Sequence, residues 1–151
     1  MNQSKYMQGV ALLEGLFAIL IFSMGVLAML GMHVNAINSV SEAKFRSDAA
    51  FLADQLIGEL WIANPANLGN YAYSGSGSPN NAVKPWVDQV KATLPGASGF
   101  PPIVTVVTST LFTNLAGNPV NQYTVTVTIR YRPPKITNTR QHVATAVISG
   151  N

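Results

Sequence analysis

Residues 10–32 read VALLEGLFAILIFSMGVLAMLGM, a run in which Glu14 is the only charge and Ser23 the only other clearly polar side chain. At about 1.5 Å of rise per residue, these 23 residues form a helix roughly 35 Å long, enough to cross a hydrocarbon core of about 30 Å. A secretory signal has an apolar region of only about 7 to 15 residues and ends at a small-residue cleavage site, so this run is too long for one. A membrane span is therefore the expected reading. The preceding residues 1–9, MNQSKYMQG, carry Lys5 and the start amine. Their positive charge favours a cytoplasmic N-terminus, with the remainder of the chain on the other side of the membrane.

The helical pattern continues past the span but changes character. No proline occurs from His33 to Ala63, and Phe45, Ala49, Leu52, Leu56 and Leu60 recur at the spacing of one helix face. Glu42, Lys44, Arg46, Asp48, Asp54 and Glu59 put mixed charge off that face. One helix over residues 10–64 follows, apolar all round in 10–32 and amphipathic in 33–64. Asn64-Pro65 ends it, because the residue before proline avoids helical geometry and proline has no amide donor. Gly15, Gly25 and Gly31 inside the span are read as close-packing positions, with local bending as the alternative.

Residues 65–151 then form a headgroup of a different composition. Residues 66–82, ANLGNYAYSGSGSPNNA, read as a surface loop; their Gly-Ser-Gly is not a phosphate loop, since no Lys-Ser or Lys-Thr follows and no strand precedes. Val83, Val87, Val90 and Leu94 predict a short amphipathic helix from near Pro85 to just before Pro95-Gly96. Three strands are predicted at 103–108, 123–131 and 142–148, separated by turn signals at 116–119 and 132–134. Such short connections imply an antiparallel meander. In the middle strand Tyr123, Val125, Val127, Ile129 and Tyr131 alternate with threonines and Arg130, so one sheet face should pack on the helix and the other meet water. The expected class is α+β, a long N-terminal helix packed on a small antiparallel sheet.

Composition narrows the chemistry. Only 10% of the residues are charged, against about 25% in an ordinary soluble domain, while 48% are hydrophobic, which excludes intrinsic disorder and argues against a conventional cytosolic enzyme. The absence of cysteine removes thiol nucleophiles, disulfides, thiolate zinc sites and iron–sulfur ligands. His33 and His142 have no second ligand at metal spacing, and no Ser, His and acid arrangement is indicated, so neither a metal nor an organic cofactor nor catalysis is expected. Beyond Asp88, Lys91, Arg130, Arg132, Lys135 and Arg140 stand without any acid. A basic patch is the minimum requirement for nucleic acid, but only Tyr131 lies near for stacking, so a solvated strand face is the plainer reading. Tyr71, Tyr73 and Trp86 serve either to pack the loop on the sheet or to form a carbohydrate or partner surface; packing is the simpler use.

The most informative residues are Gly9, Val10 and Glu14. A carboxylate at a membrane-helix centre costs roughly 2.5 to 3.5 kcal/mol on insertion scales, which marks Glu14 as a functional candidate. The alternative is that Glu14, close to the cytoplasmic end, reaches the interface and suits a helix N-terminus.

The stretch Gly9-Val10-Ala11-Leu12-Leu13-Glu14 resembles the processing motif of type IV prepilins, in which a dedicated peptidase cuts after the glycine and a carboxylate occupies the fifth position of the mature chain. Val10 stands where phenylalanine is usual, and Ala11 and Leu13 where Thr and Ile are frequent. Over roughly the first 65 residues, including Phe45 to Leu56 and Trp61-Ile62-Ala63-Asn64-Pro65, the chain looks like the PilV-type minor pilins. The resemblance implies a leader of residues 1–9, cleavage between Gly9 and Val10, N-methylation of Val10, and pairing of Glu14 with a neighbouring subunit's amine. It implies a bacterial inner-membrane protein, the headgroup periplasmic and on the pilus after assembly, that joins a tip or priming complex. Partners would be other minor pilins, the major pilin, the prepilin peptidase and the inner-membrane assembly platform. Some pilins bind DNA, which would give Arg130, Arg132, Lys135 and Arg140 a role. A minor pseudopilin of a type II secretion system and a single-span periplasmic binding protein remain the alternatives.

Overall fold

The stripe that the sequence places on one helix face is the stripe that is buried: Ala49, Leu52, Leu56 and Leu60 are all at or below 2% exposure, and Phe45 packs at the margin. The computed structural model describes residues 3–117 and 119–150, with side chains from residue 10 to residue 149. Residues 1 and 2 of the expected leader, and Asn118 of the expected turn, lie outside the described residues. Helix α1 spans Gln3–Ile62, so helical backbone begins well before Val10, where the sequence reading started it. The chain divides into two compact units, one up to Ser41 and one from Glu42 onward.

In the first unit every described side chain from Val10 to Val40 is exposed. Ser23 donates its hydroxyl to the Ile19 carbonyl at 2.7 Å and Ser39 to the Asn35 carbonyl at 3.1 Å, which satisfies both hydroxyls within the helix itself. Among the described residues, one helix is long and apolar enough to cross a membrane.

The second unit is built around a three-stranded sheet: β1 (Ile103–Thr113), β2 (Pro119–Tyr131) and β3 (Arg140–Gly150), in the order β1-β2-β3 with both pairings antiparallel. The meander and the central alternation are as expected, and all three strands run longer than predicted. Val104 pairs with Val127, Val106 with Val125, and Val127 with Ala144, which puts these side chains on one face. On that face Val104, Val125, Val127, Ile129, Tyr131 and Ile148 join α1's Leu52, Leu56 and Leu60 in a single core. The opposite face carries Thr105, Thr126 and Thr145 across one row, and Val107, Thr124 and Val147 across the next.

Two connections complete the core. The expected loop after Pro65 is partly ordered: Pro65–Tyr71 forms a 3-10 helix, with Asn64 Oδ1 accepting the Ala66 N–H at 3.0 Å. Asparagine is an effective cap for the donors a helix start exposes, and proline tolerates the first turn; the polar composition had concealed a capped turn. It buries Leu68 fully. Helix α2 (Lys84–Thr93) buries Trp86, Val87 and Val90, flanked by buried Val83 and Leu94. Trp86 Nε1 donates to the Leu52 carbonyl at 2.8 Å, a buried bond that fixes α2 to α1. Gln55 and Gln89 exchange amide bonds of 3.4 and 3.2 Å beside it.

The segment after α2 is held by the end of β2. The Arg132 N–H donates to the Pro95 carbonyl at 2.8 Å, and the Arg132 guanidinium lies 4.9 Å from the centre of the Phe100 ring. Gly96 has φ +76°, and a Cβ there would meet Arg132 Cβ at 3.0 Å, so glycine serves both the turn and the close approach.

Truncating Leu56 tests the shared core. Leu56→Ala should lower unfolding stability by about 2–5 kcal/mol, because a fully buried side chain leaves a cavity that closes only partly. Phe51→Ala, on the exposed side of the same helix, should change it by less than about 0.5 kcal/mol. Chemical denaturation of the full chain in detergent, followed by near-ultraviolet circular dichroism, reads both.

Candidate functional site

Glu14 is exposed on α1, and among the described residues it has no hydrogen-bond or ion-pair partner. Around it stand Leu12, Leu13, Leu16 and Phe17, all more than half exposed. Val10 lies one helical turn before it on the same face. Gly9 sits inside α1. The three residues singled out by the motif therefore lie within two adjacent turns of one helix, with an unpaired carboxylate at the edge of the apolar run. Nothing approaches within 4 Å of a Cβ placed on Gly15, Gly25 or Gly31, so these positions are open notches on the helix surface.

The headgroup arginines are engaged one by one rather than gathered. Arg140 Nη2 meets Glu42 Oε1 at 2.8 Å. Arg130 Nη2 donates to the Pro101 carbonyl at 3.4 Å, and Arg132 covers Phe100. Register also separates them: Arg130 pairs with Gln141, whereas Arg140 pairs with Tyr131, whose ring faces the core. Arg130 and Arg140 thus leave opposite faces of the sheet. Lys135 sits in the turn beyond β2 with φ +67°, a left-handed conformation uncommon for a residue with a side chain.

Tyr73 and Trp86 are buried at 6% and 4% exposure, and Tyr71 packs at the core margin. The Tyr71 hydroxyl donates to Glu59 Oε1 at 3.1 Å. These rings pack the headgroup, as the simpler reading had it. Among the described residues no group of three metal-binding side chains occurs. Of the helix charges, Lys44 pairs with Asp48 at 3.3 Å, and Lys84 holds Asp88 at 2.6 Å, a bond that lowers the Asp88 carboxyl below its usual range.

Two features escaped the sequence reading. Glu42 and Arg140 are 98 positions apart (140 − 42), and no local spacing joins them. Phe51, Trp61 and Ile62 stand 66%, 57% and 88% exposed on the side of α1 away from its buried stripe. Their absence from the 45/49/52/56/60 periodicity was the available signal.

No known family model matches the chain, and no curated protein or solved structure is significantly similar to it.

The surroundings of Tyr131 carry a pH dependence. Burial pushes its hydroxyl above the usual tyrosine range; Arg46 and Arg140 oppose the shift and Glu42 adds to it. Tyr71 is raised too, by burial first and then by Glu59. A raised folded value means the neutral form is preferred in the native state. The stability that this provides is full below the unfolded tyrosine value of about 10 and is lost as pH rises through the folded value. Urea denaturation between pH 8 and 11 should show a fall above about pH 10, shallower in Tyr131→Phe than in the parent.

Proposed function

We propose that this chain is a minor pilin of a type IV pilus, cleaved between Gly9 and Val10 and assembled through Glu14 into a tip or priming complex with other pilins. The observation that carries this reading is Glu14: an unpaired carboxylate, five positions beyond Gly9, at the start of residues 10–32, which hold no other charge. The resemblance of the motif to prepilin processing sites gives that carboxylate a partner. The long apolar helix and the antiparallel-sheet headgroup are compatible with it.

Cleavage after Gly9 makes Val10 the first residue of the helix and creates an amine there. A carboxylate in an apolar environment is strongly disfavoured unless paired, so Glu14 would seek a cation once the span leaves the interface. A neighbouring subunit's amine supplies it. Pairing at one fixed position also sets the axial register between two otherwise uniform apolar helices, as a single buried polar residue sets register in coiled coils. The same side chains that suit the bilayer, Leu12, Leu16, Ile19 and Leu20 among them, would then pack against neighbouring helices. The open notches at Gly15, Gly25 and Gly31 permit close helix approach.

Processing and assembly are separable. With the prepilin peptidase co-expressed, mass spectrometry of the mature chain should find Val10 at the N-terminus, and Gly9→Val should retain the leader. An unchanged mature N-terminus in Gly9→Val would remove the processing claim. Glu14→Ala should insert and be processed normally, yet recover at least about tenfold less co-purifying pilin, corresponding to the loss of about 1.4 kcal/mol or more of pairing. Normal recovery would rule out the assembly role. An intact leader with no pilin partners would point instead to a single-span binding protein.

A further inference from the structure

Strand β1 has a free edge, and the chain itself begins to cover it. Tyr73 N–H donates to the Val104 carbonyl at 2.9 Å and Val104 N–H donates to the Tyr73 carbonyl at 2.8 Å, an isolated antiparallel bridge on the side of β1 away from β2. Backbone groups along an antiparallel strand alternate between its two neighbours. Since Val104 directs its groups outward, Val106, Thr108 and Thr110 do so too, while Thr105, Val107 and Ser109 bond to β2. Two side-chain contacts agree with this parity: Thr110 donates to Asn121 at 3.1 Å, and the Thr126 and Thr145 hydroxyls meet at 3.5 Å, as closely spaced pairs without mutual backbone bonds should. The described residues offer the outward groups of Val106, Thr108 and Thr110 no partner.

The open stretch has defined ends. Tyr73 closes it at Val104, and an irregularity between Thr110 and Phe112 breaks the ladder at the other end. A shallow groove of about 560 Å³ lies where the Tyr73 segment meets β1, between Ser74 and Val106. Sheet edges are ordinarily protected by lysine, inward charge or proline. Here residues 92–129 contain no Asp, Glu, Lys or Arg, and no proline falls between Pro102 and Pro119. Among the described residues, the Tyr73 bridge and the irregularity guard this edge only at its two ends, outside the open stretch.

We infer that the β1 edge from Val106 to Thr110 receives an extended, uncharged segment of a partner polypeptide, which adds antiparallel to β1 and continues the line that Tyr73 starts. The row of alternating backbone donors and acceptors selects a polypeptide in strand conformation, since that ligand matches both at the strand spacing. The antiparallel sense follows from the bridge already seated on the same edge. The side-chain pattern follows from β2, which binds the opposite edge of the same strand: Tyr123, Val125 and Val127 on the core side and Thr124 and Thr126 on the other. A charged segment would lose hydration against an edge that has no countercharge to offer. The inference does not depend on the pilin reading.

A synthetic peptide copying Gln122–Thr128 tests it against the full chain in detergent micelles, with amide hydrogen exchange read residue by residue by NMR. In the chain alone, the amides of Val106, Thr108 and Thr110 should exchange fast and those of Thr105, Val107 and Ser109 slowly. Peptide at ten times its dissociation constant should slow the first set about tenfold and leave the second unchanged. The same peptide N-methylated at the residues copying Tyr123, Val125 and Val127 keeps its side chains but loses the bonding amides, and it should protect nothing. Equal protection by the methylated peptide, or no protection by either, overturns the inference. Protection of Val106, Thr108 and Thr110 that rises with protein concentration alone also overturns it, because the occupant would then be a second copy of the chain.

Discussion

Everything in the headgroup depends on covering one face of a three-stranded sheet. A sheet this small has too little apolar area to hold itself together, and its inner face of Val104, Val125, Val127 and Ile129 needs a second layer. The C-terminal part of α1 supplies that layer with Ala49, Leu52, Leu56 and Leu60. Helix α2 and the 3-10 turn then close the sides, and the Trp86 bond to the Leu52 carbonyl secures the arrangement with a directional contact. These covering positions all lie beyond Glu42, in the same compact unit as the sheet, so the second layer belongs to the headgroup and not to the apolar run of residues 10–32.

The apolar run and the amphipathic stripe were legible because each follows a single local period. Residues 10–32 lack polar interruption, and the buried positions of α1 fall every three or four residues. The β2 alternation was legible for the same reason, and it located the sheet's inner face. What local pattern could not convey was termination and pairing. The strands extend past their predicted ends into Ser109–Thr113 and Pro119–Gln122, where threonine, asparagine and glutamine gain ladder bonds that composition does not advertise. The 3-10 turn hid in a polar stretch because its determinant is one asparagine and one proline, not a repeat.

At the candidate site, the position of Glu14 was fully legible and its partner was not. A carboxylate in an apolar run announces itself by contrast, whereas no residue described in this chain pairs with it. The headgroup arginines pose the reverse case. In sequence Arg130, Arg132 and Arg140 form a basic segment; in space each has a separate task, toward Pro101, Phe100 and Glu42. Pleat alternation and the antiparallel return disperse what proximity along the chain had gathered.

The two tryptophans stand in opposite environments. Trp86 is enclosed in the core with its indole N–H bonded, and Trp61 is more than half exposed near the end of α1. Indole emission depends on the polarity around the ring, so the chain carries two native fluorophores with different sensitivities. A blue-shifted inner component reports whether the headgroup is folded. A red-shifted outer component, quenchable by iodide, reports whether anything has come to rest on the far side of the helix. Replacing either ring with phenylalanine would leave a single-colour instrument for the other event.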